Sequence, residues 1–315
     1  MNILVTGGAG FIASHIAEAY LREGHRVVIL DDLSTGREAN VPSGAVLERL
    51  DVRDPAVRGV FERHQIDFVN HHAARADVRD SVKNPGLYLS VNVEGGLNLL
   101  ECARQHGVKG FVFASSGGCS YGEPQYVPTD ESHPLNPHDP YGASKVCFEL
   151  YLKTYEQLYG IPYTIFRYPN IYGPRQNPFG EAGVIGIFIV RMLQGLPVTI
   201  YGDGAQLRDF VFVDDIVAAN VAALTRCANQ TFNLGWGTGV SVKQVFDELK
   251  ALLGYDRPAI FAPPRLGEIS RSVLTAGRIA AEWQWAPRVD LAQGLKRTLD
   301  YISACEVAEA NPADA

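Results

Sequence analysis

The segment Thr6-Gly7-Gly8-Ala9-Gly10-Phe11-Ile12-Ala13 narrows the folds open to this chain more than any other. It directly follows an apolar run, Ile3-Leu4-Val5, and opens a helical pattern over residues 11–22. A glycine turn spaced G-x-x-G-x-x-A between strand and helix leaves backbone N–H groups free at a helix N-terminus, where they and the helix dipole favour an anion. Gly7 permits the tight turn, Gly10 lets backbone approach a pyrophosphate, and Ala13 is small enough for the helix to pack on the strand. A purely structural glycine turn would carry the same letters. What separates the two readings is an acid at the end of the next strand.

That acid is present. The run Val27-Val28-Ile29-Leu30 ends in Asp31-Asp32. A carboxylate there accepts hydrogen bonds from adenosine ribose hydroxyls and repels a 2′-phosphate, so the pattern favours NAD over NADP. Further apolar runs at Val46-Leu47, Phe68-Val69 and Phe111-Val112-Phe113 alternate with helical patterns such as 87–105. Continuous apolar strands separated by helices predict an α/β fold, a Rossmann-type doubly wound parallel sheet covered on both faces. This domain is expected over residues 1–167. Beyond Arg167 the regularity weakens, and Pro- and Gly-containing loops at 172–183, 201–206 and 263–267 separate helical patterns at 184–194, 215–226 and 242–253. These predict a smaller C-terminal α/β substrate lobe over 168–305. Strand-like Thr164-Ile165-Phe166 and Phe210-Val211-Phe212 would mark crossings between lobes, and a frayed tail is expected over 306–315.

Composition excludes several classes. With 315 residues, 46% of them hydrophobic, the chain can bury a full core. No apolar run approaches the roughly 18 residues of a membrane span. With the apolar run Ile3-Leu4-Val5 directly after Met1-Asn2, no leader segment is expected. A net charge of −7 without a basic block argues against nucleic acid as a partner. Cys102, Cys119, Cys147, Cys227 and Cys305 are scattered without C-x-x-C spacing, which indicates neither a zinc site nor a disulfide framework. A reduced, cytoplasmic setting fits.

Tyr141-Gly142-Ala143-Ser144-Lys145 begins a helix after a Pro-rich loop at 134–140. Residues four apart share a helix face. A tyrosine titrates near about 10 when unperturbed, and a neighbouring ammonium favours the phenolate, making it a base near neutral pH. A surface Tyr/Lys pair has the same spacing; the preceding nucleotide fold selects the catalytic reading. Two roles are open to Asp51-Val52-Arg53-Asp54: flanking adenine, and capping a helix before Pro55. His71-His72-Ala73-Ala74 ends the fourth strand with small residues that let a cofactor lie close. Neighbours on an extended chain point to opposite faces, so the His pair is not read as a metal site.

Five stretches carry a family resemblance: Leu30-Asp31-Asp32-Leu33-Ser34-Thr35-Gly36, Val91-Asn92-Val93, Tyr141-x-x-x-Lys145, Arg167-Tyr168-Pro169-Asn170 and Arg208-Asp209-Phe210-Val211. With the glycine turn they resemble the extended short-chain dehydrogenase/reductase superfamily, and within it the UDP-glucose 4-epimerase group, from Thr6 to Trp285-Ala286-Pro287. The resemblance implies bound NAD. On the cofactor side it implies Gly7, Gly10, Phe11, Ile12, Asp31, Asp32, Ser34, Thr35, Gly36, Asp51, Val52, His72, Ala73, Ala74, Asn92, Ser115, Tyr141, Lys145 and Tyr168. It implies that Tyr141 takes the proton from a sugar hydroxyl as hydride leaves the same carbon for NAD. Lys145 would lower the tyrosine pKa and bond the nicotinamide ribose. A Ser or Thr near the end of the fifth strand would bond the same sugar hydroxyl. In Ala114-Ser115-Ser116-Gly117-Gly118-Cys119-Ser120-Tyr121-Gly122, Gly117 stands where many relatives carry that group. Ser116 is taken as its substitute and Ser115 as second choice, against the alternative that both only bond backbone.

On the substrate side the resemblance implies Asn170, Arg208 and Arg265 on the diphosphate, Glu268 on the uridine ribose, Tyr201 beside uracil, and Val184 and Thr199 in the same site. The stretch Arg265-Leu266-Gly267-Glu268 could equally be a surface turn. Related dehydratases carry an Asp-Glu pair where Gly117-Gly118-Cys119 stands here, and uronate-specific relatives tend to carry an Arg where Asn177 follows Pro174-Arg175-Gln176. A buried carboxylate without a partner is costly. The expectation is therefore C4 epimerisation of a neutral UDP-hexose, as in galactose metabolism. UDP-GlcNAc/GalNAc stays open because Ser272 stands where some relatives have a bulky Tyr; UDP-glucuronate, a reductase and a dehydratase are further alternatives. A non-catalytic NAD sensor would have no need of Tyr141 and Lys145 together. The resemblance also implies a homodimer through the helices around 87–105 and 141–159.

Overall fold

The computed structural model describes residues 1–178, 183–227, 229–265 and 269–310, with side chains to residue 305. Six strands alternate with helices in the first half: β1 (Asn2–Thr6), β2 (Arg26–Leu30), β3 (Val46–Glu48), β4 (Phe68–His71), β5 (Gly110–Ser116) and β6 (Tyr163–Tyr168). A seventh, Gln230–Asn233, joins them, giving the parallel order Gln230–Asn233, β6, β5, β4, β1, β2, β3. This is the expected Rossmann-type sheet. The strand order reverses between β1 and β4, and in such sheets a crevice opens there, at the carboxyl ends of the strands.

Both faces of the sheet are apolar because both are covered. Ile3 and Val5 point to one side, packing with Ile16 and Tyr20 of the first helix, α1 (Phe11–Arg22). Leu4, between them, points to the other side, with Phe61, Leu99 and Phe148. That alternation is the strand's period of two. Each fully buried aliphatic or aromatic side chain contributes about 1.5–3 kcal/mol. A third cluster lies beyond the sheet, where the helices Val184–Leu193, Val242–Leu253 and Leu291–Ala310 enclose Phe188, Phe246 and Leu295. No helix among the described residues is long and apolar enough to cross a membrane.

Two elements differ from the sequence reading. The pattern at 87–105 is three pieces rather than one helix: Pro85–Leu89, a wider π-helical turn at Ser90–Glu94, and Gly95–His106. The wider turn holds buried Asn92, whose amide bonds elsewhere, and Gly96 follows because a Cβ there would lie 2.4 Å from the Phe148 ring. The strand Gln230–Asn233 returns to the central sheet although only Phe232 is apolar, too little for an apolar run to mark it. Phe210–Phe212 pairs instead with Asn170–Tyr172 in a separate two-stranded sheet.

Candidate active site

A cleft of about 400 Å³ opens at the carboxyl ends of β1 and β4. At one end lies the glycine turn. Gly7 has φ +68°, and a Cβ there would sit 2.8 Å from the Ala73 backbone nitrogen, so the turn and the end of β4 can meet only over glycine. Gly10 caps α1 in extended conformation with no side chain to occupy the helix N-terminus. Asp31 ends β2 with its carboxylate tied down, Oδ2 accepting from Ala9 N at 3.0 Å and Oδ1 from Leu33 N at 2.8 Å. Burial raises its pKa and these bonds oppose the rise. Asp32 accepts from Ser34 N and Oγ. Asp51 is engaged by Arg53 at 2.5 Å, which holds its carboxyl below the usual range. Asp54 accepts from Ala56 N at the approach to the helix Val57–His64.

The other end of the cleft holds the tyrosine and lysine. The helix Pro140–Tyr159 starts with Pro at its first position, and the Asp139 carboxylate accepts from Gly142 N at 2.7 Å. Capping of this kind satisfies an orphan N–H and fixes the helix start. One turn in, Lys145 is buried; its Nζ donates to Ala114 O at 2.9 Å and lies 5.8 Å from the centre of the Tyr141 ring.

The two serines of β5 differ in what holds them. Ser115 Oγ donates to Glu149 Oε1 at 2.5 Å, and Glu149 is locked against Arg167 by bonds of 2.6 and 3.0 Å. Arg167 continues to Tyr121 OH, and Tyr121 to Asn233 Oδ1. Ser116 Oγ accepts from Cys119 N at 3.2 Å and has the Cys119 thiol as its side-chain neighbour, so its proton is not committed to a buried carboxylate as that of Ser115 is. The glycine that follows has a steric cause: a Cβ on Gly117 would lie 2.2 Å from Leu274 Cδ1.

The cleft walls include Gly7, Gly10, Phe11, Ile12, Asp31, Asp32, Ser34, Thr35, Gly36, Asp51, Val52, His72, Ala73, Ala74, Ser115, Ser116, Tyr141, Lys145, Tyr168 and Asn170. Asn92 lies behind the wall, its amide bonding the Arg75 backbone and Ser144 Oγ. Arg75 and Gln176 line the cleft without having been anticipated, and no periodic or motif signal marks them. Val184 opens its helix between Gly183 and Ile185, which both line the cleft. Thr199, Tyr201, Arg208 and Arg265 stand apart from these walls. The Arg265 guanidinium stacks 4.0 Å over the Tyr201 ring, and Thr199 and Tyr201 share one strand. Glu268 lies outside the described residues.

Asp209, within the Arg208-Asp209-Phe210-Val211 stretch, is structural. Its buried carboxylate accepts from the N–H groups of Trp236, Gly237 and Leu274, and burial lifts its pKa to about 7. The folded state therefore holds this proton to higher pH than the unfolded chain, whose Asp titrates near about 3.9. Its contribution to stability is present below about pH 4 and is lost as pH rises towards 7. In urea melts between pH 5 and 7.5 this component should vanish in Asp209→Asn; an identical pH slope in both proteins would refute it.

A dinucleotide turn at one end of a crevice and a helix-borne Tyr/Lys pair at the other define an oxidoreductase-like enzyme of the extended short-chain dehydrogenase/reductase class. The profile of the NAD dependent epimerase/dehydratase family matches residues 3–235, and the chain belongs to that family. It is 40% identical to the UDP-glucose 4-epimerase of Mycolicibacterium smegmatis over 308 residues, covering 96% of this chain and 98% of the relative. The crystal structure of Thermotoga maritima UDP-glucose 4-epimerase with UDP-glucose is similar at a TM-score of 0.96 and 42% identity, over 97% of this chain and all of that one. The Thermus thermophilus UDP-glucose 4-epimerase complex with NAD is similar at a TM-score of 0.91 and 44% identity, over 96% and 99%.

Proposed function

We propose that the chain catalyses C4 epimerisation of a UDP-hexose, interconverting UDP-glucose and UDP-galactose. The observation that carries this is that Tyr141, Lys145 and Ser116 line the same cleft as the glycine turn and Asp31. The cleft fits NAD, because the Gly7 approach, the bare α1 N-terminus and the Asp31 carboxylate match its pyrophosphate and ribose. When bound, NAD supplies a hydride acceptor that returns the same hydride, so no external oxidant is consumed. Tyr141 takes the C4 hydroxyl proton on its phenolic oxygen and gives it back to the C4 oxygen after the sugar has turned, when the hydride would return to the opposite face of C4. Lys145, one helical turn away, favours the phenolate. Ser116 donates to the C4 oxygen and orients it. The 4-keto sugar turns between the two steps while Arg208 and Arg265 hold the diphosphate.

Dehydration lacks an acid here. Gly117 and Gly118 carry no side-chain proton, and burial pushes the Cys119 thiol up to about 12. A second reading, UDP-GlcNAc/GalNAc epimerisation, is favoured by Ser272, a small side chain paired with Arg208 across neighbouring strands. Incubating the pure protein with UDP-galactose, UDP-GalNAc and UDP-glucuronate, with products followed by NMR, tests the assignment. Conversion of none of the first two would sink it, and conversion of UDP-glucuronate alone would replace the neutral sugar with a uronate.

The serine assignment separates by variant. Ser116→Ala should lower kcat by about 10²-fold, within the range for a positioned proton-handling group, with stability little changed. Ser115→Ala should instead leave Glu149 one donor short, costing about 1–3 kcal/mol in urea melts with kcat nearly retained. The reverse pattern would move the role to Ser115.

A homodimer is part of this reading. Leu89, Leu150, Leu158 and Tyr159 are exposed apolar side chains on the helices at 85–89 and 140–159, and covering them would remove apolar area from water. Sedimentation velocity at micromolar concentration tests this, and a monomer would refute it. A cytoplasmic site of action accords with five unpaired cysteines.

A further inference from the structure

His72 lines the cleft and carries a buried hydrogen-bonding atom that is unused among the described residues. Its Nε2 lies 3.1 Å from Tyr168 OH, while its buried Nδ1 meets no partner among the described residues. The surrounding bonds determine where the proton sits. Asn220 Nδ2 donates to Ile216 O, and Asn220 Oδ1 accepts from Asn70, so the amide orientation is fixed. The same Nδ2 donates to Tyr168 OH at 2.9 Å. The phenol is thus an acceptor from Asn220, and among the described residues its own proton has only His72 Nε2 to go to. A neutral imidazole that accepts at Nε2 carries its hydrogen on Nδ1. The ring is neutral: burial, and then the Lys145 charge, lower its pKa to about 3. The His72 backbone abuts the glycine turn, its carbonyl carbon 3.0 Å from where a Gly7 Cβ would be.

We propose that His72 is a cofactor-binding residue through its side chain, with Nδ1–H donating to an acceptor oxygen of the dinucleotide between the glycine turn and Lys145. This rests on the NAD reading above. A buried donor without a partner costs about 1–3 kcal/mol, and an acceptor oxygen brought by the ligand removes that cost. The chain Asn70–Asn220–Tyr168 then acts as a template that selects the tautomer able to donate.

The experiment uses the holoenzyme. His72→Gln keeps a polar group near the Nε2 position but loses the Nδ1 donor; His72→Asn keeps a donor near Nδ1 and loses the Tyr168 bond. Exchange of bound NAD against labelled NAD should speed up about tenfold in His72→Gln, the size of one lost hydrogen bond, and stay within about twofold of the parent in His72→Asn. Equal exchange in His72→Gln and the parent, or equally fast exchange in both variants, would overturn the proposal. A protein that purifies with no NAD and takes none up would instead overturn the cofactor reading beneath it. Should His72→Gln not fold, 15N spectra of histidine-labelled holoenzyme decide. The expected result is a protonated Nδ1 and bare Nε2, and an Nε2-protonated ring would refute the assignment.

Discussion

Tyr141→Phe should lower the rate of UDP-galactose conversion by roughly 10²- to 10⁴-fold, the usual contribution of a positioned general acid–base, while NAD stays bound. The variant removes one oxygen and leaves the capped helix, the Lys145–Ala114 bond and the distant glycine turn as they were. Phe cannot take the C4 proton, so hydride removal would leave an uncompensated charge on the sugar. Turnover by NMR and NAD content by absorbance of the denatured protein check both halves. Retained turnover would displace Tyr141 as the base. Loss of NAD together with activity would mean that the ring serves binding rather than proton transfer.

The second large effect concerns stability. Glu149 and Arg167 are 1% and 4% exposed and make a two-pronged ion pair beneath the catalytic strand. Arg167→Leu leaves the Glu149 carboxylate buried, with Ser115 Oγ still donating to it. Breaking a buried pair in this way costs about 3–5 kcal/mol, whereas replacing both partners by apolar groups is often near neutral. Arg167→Leu should lower Tm by about 10 °C, and Arg167→Met combined with Glu149→Leu should recover most of the loss. Calorimetry on the two proteins decides. A change below about 1 kcal/mol in the single variant would show that Glu149 has other support or takes up a proton without strain.

Much of this arrangement is legible in the residues. The glycine turn, Asp31 and the Tyr141/Lys145 spacing each encode a local requirement: a positive φ, a strand-end carboxylate, one helix face. Helix boundaries at 11–22 and 242–253 follow from apolar periodicity ended by a cap. The features that were not legible depend on distant contacts. The strand Gln230–Asn233 is defined by its pairing with β6 rather than by its composition. The break at 90–94 reflects packing against Phe148 and the bonds of Asn92. No spacing rule joins Ser115 to Glu149 and Arg167, so the reason for preferring Ser116 appears only when β5, β6 and the catalytic helix are seen together. The His72 tautomer likewise depends on residues from three separate segments.

The contact between Leu274 and Gly117 couples two positions 157 apart in the chain, so that the side chain allowed at one depends on the other. A side chain at 117 requires the Leu274 side chain to shift, since the new Cβ would lie 2.2 Å from its Cδ1. Trimming Leu274 alone opens a cavity in a well-packed wall, and losses of that kind run to about 2–5 kcal/mol. A hydroxyl-bearing residue at 117 is accommodated at least cost when Leu274 is smaller or turned away. Leu274 thus shapes which residue at the end of β5 can carry a side chain toward the cleft, although it lies outside the cleft walls itself.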